Sequence, residues 1–344
     1  MRAGSAGTIR VRHHGWLATM LLALLCNVPS AAGAAGTDID PNAPLTFGIL
    51  PIGGPAESLE AWRPMLDDLH TALGRPVRAV SVTTYEGIAQ AISEQRVDIA
   101  FLSGRLALDA VVGQNMQVIG QLTRGDGSKG YYAVLLVAAD SRITSINQLF
   151  AKPGQWRFAR GEALSVSGYL VPETQLFAAR GVDSDTFFAK VHVDNHQNNA
   201  LAVANGEADV ATNNTADLER FQQHFPDQYA RLRILWKSSL IPHAVIVIRN
   251  DLPAALRDKV AAFVTGYGKG KDAAREEANL KLIHDISGFA PATNACLVPF
   301  ADIEYALEKR RATTAQWVSE NARDARLGKI ESDHDGLVAR LRAK

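Results

Sequence analysis

Residues 85–100, YEGIAQAISEQRVDIA, and residues 196–211, HQNNALAVANGEADVA, read as two copies of one unit. Each opens on a polar ring, Tyr85 or His196. Each runs through helical periodicity and reaches an Asp, Asp98 or Asp209, thirteen residues after the ring. An apolar strand and then a polar loop follow, LSG in the first copy and TNNT in the second. Two similar α/β lobes facing each other enclose a cleft, the usual seat of a small ligand. The plainer alternative is a pair of ordinary βα repeats whose rings match by coincidence.

Outward from the first copy, LTFGIL (45–50) and VRAVSV (77–82) are strands. Between them AWRPMLDDLHTALG (61–74) is a helix closed by a glycine. This βαβαβ start implies a parallel sheet with ligand loops at the carboxyl ends of its strands. A helix near 105–113 leads to the strand QVIGQLTR, the turn GDGSKG and the strand YYAVLLVAA (131–139). Around the second copy, WRFARG, FAKVHV, ADVATN, RLRILWKSS and AVIVIRN read as strands. SGYLVPETQLFAARG and LPAALRDKVAAFVTGYG read as helices, and the tail from Ala301 as polar helix. The division expected is a leader at 1–35, lobe 1 at 40–135, lobe 2 at 136–238, and the rest of lobe 1 with the helical tail at 239–344.

Lysine plus arginine equals aspartate plus glutamate, at 36 each. Three of the arginines, Arg2, Arg10 and Arg12, precede the apolar run WLATMLLALL (16–25) and the small residues PSAAGAAG. That is the pattern of an export signal, too short to span a bilayer. Cys26 as a lipid-attachment site is disfavoured by the bulky Leu25 before it. Without the leader the balance turns slightly acidic, which excludes a basic footprint for nucleic acid. Specificity for an anion must then come from local geometry. Cys296 has no partner once the leader is removed and reads as a small buried apolar residue.

Ser165-Val166-Ser167-Gly168 stands between a strand and an apolar helix. Hydroxyls there cap free N–H groups, and the same N–H groups bind anions. Both roles remain open. Asn213 and Asn214 end a strand and can donate to oxygens or cap the next helix. Tyr85 and Tyr131 offer phenol donors, and Tyr132 points to the opposite face of its strand. His196 is a donor whose protonation depends on enclosure. No nucleophile elbow, HExxH, P-loop or CxxC pair is present, so neither catalytic residues nor a metal or cofactor site is expected.

The stretches SVSGYLVP (165–172), NALAVANGEADVATNNT (199–215) and ILWKSSLIP (234–242) closely resemble the phosphonate-binding, PhnD-like proteins of ABC transporters. LTFGIL, DGSKGYYAVLLV and FVTGYGK extend the resemblance over about residues 45 to 300. It implies a two-lobed periplasmic binding protein of the type II, Venus-flytrap kind, with two crossover strands at the hinge. It also implies a periplasmic monomer that delivers a small phosphorus oxyanion to an ABC permease. Docking on a sensor, an enzyme on the same fold, and binding of phosphate or another oxyanion are the alternatives. The anion head would be held by Ser165, the Val166 N–H, Ser167, Tyr85, Tyr131 and His196. Val166 stands where the family often has Thr. Relatives that bind aminoalkylphosphonates place acids at the positions of Ala216 and Ala244. Phosphite, methylphosphonate or another phosphonate lacking an amino group is therefore the expected ligand. His243 adds a donor suited to an oxygen-rich ligand, and Leu102 replaces an expected aromatic.

Overall fold

The computed structural model describes residues 43–343 apart from Gly53 and His284. The residues read as an export signal, and Cys26, lie outside the described residues. Two sheets organise the remainder. The first contains β1 (Leu45–Ile49), β2 (Val77–Ser81), β3 (Ile99–Leu102) and β4 (Met116–Thr123). The second contains β5 (Gly130–Ala138), β6 (Arg157–Arg160), β7 (Lys190–Val193), β8 (Val210–Asn214) and β9 (Leu232–Pro242). The chain then returns to the first sheet with β10 (Val245–Arg249) and β11 (Gly288–Ala290).

Strand order is β11-β4-β10-β3-β1-β2 in one sheet and β7-β6-β8-β5-β9 in the other. Without β11 the two orders are the same. In each, three parallel strands are followed by one antiparallel strand that has just crossed from the other sheet, β10 or β5. This is the two-lobed type II arrangement, with crossings at residues 124–129 and 243–244. The lobe limits read from sequence, after 135 and 238, remain a proposal beside these positions.

The doubled unit extends to its fastenings. Asp98 accepts from the Thr46 N–H at 2.8 Å, and Asp209 accepts from the Arg157 N–H at 2.8 Å, each pair 52 residues apart. In both lobes the Asp before the third strand thus fastens the first. Trp62 packs between Phe47 and Phe101, at centroid distances of 5.1 and 5.0 Å, in the first core. Phe158, Phe177 and Phe188 fill the second. Burying such rings is the main stabilising term on each side.

Two readings change. The stretch 167–181 is not one α-helix: Val166–Leu170 and Glu173–Phe177 are π-turns, followed by a 3₁₀ turn ending at the left-handed Gly181. Pro172, which lacks an N–H, interrupts the ladder. Cys296 is half-buried rather than buried, and burial lifts its thiol to about 11. The helix Ala273–Leu282 and strand β11 carried too little periodicity to be read in advance.

Candidate functional site

The two copies bring their rings to equivalent places. Tyr85 is the first residue of the helix Tyr85–Ser93, whose cap Thr84 accepts from the Gly87 N–H. His196 is the first residue of His196–Ala204, whose cap Asn195 accepts from the Asn198 N–H. Capping fixes where each helix begins and so aims the ring that follows.

The serine turn is held from below. Pro172 has no N–H to give the carbonyl of Gly168, four residues earlier. That carbonyl instead accepts from the Thr212 hydroxyl at 2.8 Å and the Gly161 N–H at 3.1 Å. Gly161 and Gly168 pack backbone to backbone, and a Cβ on Gly168 would lie 2.8 Å from the Gly161 Cα. Ser165 Oγ accepts from the Gly168 N–H at 3.1 Å, so its capping role is realised. Ser167 Oγ lies 3.3 Å from His196 Nε2 and accepts from Asn214 Nδ2 at 3.2 Å.

These groups converge on one cavity of about 80 Å³ lined by both lobes. Tyr85, Tyr131, Ser165, Val166, Ser167, His196 and Asn214 all line it. Asn213 does not: strand alternation turns it away from Asn214, and its side-chain amide donates to the His196 carbonyl at 2.7 Å. Tyr132 also stays outside, under the Lys237 ammonium at 3.7 Å. Ala216, Ala244 and His243 line the cavity, whereas Leu102 is in the core and its neighbours Phe101 and Ser103 take the lining places.

The lining is rich in neutral donors. Burial, reinforced by the Asp217 carboxylate, pushes the Tyr85 and Tyr131 phenols far above their usual range, so both keep their protons. Burial lowers the proton affinity of His196, against the opposing pull of Asp217. His243 is shifted down as well, first by burial and also by the Arg124 charge. Such a cage can surround a tetrahedral anion through hydrogen bonds alone. Among the described residues no group of three His, Cys, Asp or Glu is placed to hold a metal.

Three charged residues of the site were not singled out by sequence reading as working parts. Asp217 lines the cavity, accepts from Asn214 Nδ2 at 2.7 Å and lies 3.9 Å from His196 Nε2. Glu162, beyond β6, accepts the Tyr85 N–H at 3.0 Å and so ties lobe 2 to a helix start of lobe 1. Arg124, on the first crossing, lines the cavity and pairs with Glu219. Glu162 and Arg124 acquire their roles from contacts between segments distant in sequence, and Asp217 from the approach of His196 within its own lobe.

Comparison with known proteins finds relatives of the chain as a whole. A family model described as the phosphonate periplasmic substrate-binding protein of ABC transporters matches residues 47–297. The phosphonates-binding periplasmic protein of Escherichia coli K12 is 35% identical over 296 residues, 85% of either chain. A phosphate-import protein of Mycolicibacterium smegmatis is 23% identical, covering 86% of this chain and 94% of its own. The crystal structure of a binding-protein component of a Pseudomonas aeruginosa ABC phosphonate transporter superposes with a TM-score of 0.80 at 29% identity, covering 87% of this chain and 98% of that one.

Proposed function

We propose that this chain, which belongs to the periplasmic substrate-binding proteins of phosphonate ABC transporters, captures phosphite or a small phosphonate without an amino group. The ligand is carried as a hydrogen-bonded anion and handed to a permease. The family implies a periplasmic setting, and the leader-like first 35 residues agree with export.

The observation that carries the choice of ligand is the pair Ala216 and Ala244, both on the cavity wall. An ammonium enclosed there would meet two methyl groups, and a buried charge without a partner costs several kcal/mol. Asp217 does not replace the missing acids, because its carboxylate is already engaged by Asn214 and faces His196. The anion head would rest on the serine turn, with Tyr85, Tyr131 and His196 completing the cage. Contacts from both lobes make the closed form the better binder, as closure by a ligand requires. Phosphate is the nearest competitor, since His243 offers a further donor to an oxygen-rich ligand.

Calorimetry on ligand-free protein with phosphite, methylphosphonate, phosphate and 2-aminoethylphosphonate tests this. The first two should bind and the amine should bind weakly. Tight binding of 2-aminoethylphosphonate would refute the reading of the two alanines. Ser167→Ala should weaken the best ligand by about 1–3 kcal/mol through lost or unpaired hydrogen bonds.

A further inference from the structure

Arg124 stands at the border of two spaces. It lines the small cavity, and with Ala216 it also lines an adjoining groove of about 460 Å³. Its side chain is only 12% exposed, while its partner Glu219 is 55% exposed on the outer side. A guanidinium has five N–H donors, and a single carboxylate does not exhaust them. Around it, the cavity wall is made of Leu122, Ile286, Ala216 and Ala244. His243, another polar group of the lining, is held toward its neutral form. Asp126, two residues along the chain, has its carboxylate bonded to the Ser128 N–H. Asp217, next in sequence to Ala216, also lines the cavity, but its carboxylate is tied to Asn214 and lies beside His196.

We infer that Arg124 receives a second acidic group, so that the phosphorus oxyanion this cavity selects bears a carboxylate on a short organic tail. The inference rests on the reading that the serine turn holds a phosphorus oxyanion, and narrows it to phosphonocarboxylates. The enclosed guanidinium matches a carboxylate with two parallel N–H···O bonds, which are among the stronger hydrogen bonds in proteins. A methyl tail offers the guanidinium no acceptor. An ammonium tail meets a like charge.

The test compares phosphonoacetate and 3-phosphonopropionate with methylphosphonate and ethylphosphonate by calorimetry on the whole protein. The carboxylates should bind roughly 10- to 100-fold tighter, the range expected for a charged hydrogen-bonded pair. Arg124→Gln should remove that advantage, so that on the variant the carboxylates bind no tighter than the alkylphosphonates measured beside them. Glu219→Gln should keep the advantage, because the outer pair is then lost and the inner one is not. If alkylphosphonates bind but a carboxylate adds nothing, the inference is overturned and the phosphorus-anion reading stands. If Arg124→Gln and Glu219→Gln weaken every ligand alike, Arg124 is only a strut between the lobes. If no phosphorus compound binds, both readings fall together. Should Arg124→Gln not fold, the ligand series on the unaltered chain still decides.

Discussion

Enclosure sets the chemistry of His196. Its imidazole is 6% exposed, and burial disfavours the charged ring. The folded protein therefore binds a proton there less readily than the unfolded chain, whose histidine titrates near 6.5. Stability from this group is fully present above that value and is lost as pH falls below it, since protons then favour the unfolded state. His243 acts in the same direction. Thermal unfolding of the ligand-free protein between pH 7.5 and 5 should show a falling midpoint. His196→Asn should flatten the fall, and an unchanged slope would remove His196 from the account. This histidine, the tyrosines and the serine turn were legible in the sequence because helix starts and strand ends are local features. Arg124, Asp217 and Glu162 were not, because a charged side chain at a strand end or in a first helical turn is ordinarily solvated. Arg124 and Glu162 take their meaning from contacts far along the chain, and Asp217 from His196 in its own lobe.

At the scale of elements, the serine turn is shaped by a proline and two glycines as well as by its hydroxyls. The donor missing from Pro172 leaves the Gly168 carbonyl for Thr212 and Gly161. The π-turn lets the Leu170 N–H reach back to the Ser165 carbonyl at 3.1 Å. Such widened turns are frequent at functional sites. Gly168→Ala would set a Cβ 2.7 Å from Ser165 Oγ and 2.8 Å from the Gly161 Cα. The serine can rotate, but the backbone cannot easily retreat. The substitution should cost about 1–3 kcal/mol of stability as an overpacking defect. It should also weaken ligand binding, measurable by denaturant unfolding and calorimetry. Native stability with intact binding would show that the close approach is not required. The helix read for this stretch had correct limits and the wrong internal ladder, because periodicity reports the buried face and not the hydrogen-bond register.

For the whole molecule, charged contacts join the lobes around the cavity: Arg220 with Glu57, Arg124 with Glu219, and Glu162 with the Tyr85 N–H. Surface ion pairs contribute little individually, and Val166, Leu170 and Val171 of the second lobe also pack into the core of the first. The repeated strand order has a different consequence, for assembly. All five strands of the second sheet lie in one continuous stretch, 130–242, whereas the first sheet waits for β10, which enters between β3 and β4. A fragment of residues 130–242 should melt cooperatively by circular dichroism, and one of residues 43–123 should not. As the polypeptide emerges, its leading portion keeps an unfilled slot until the later lobe has been traversed.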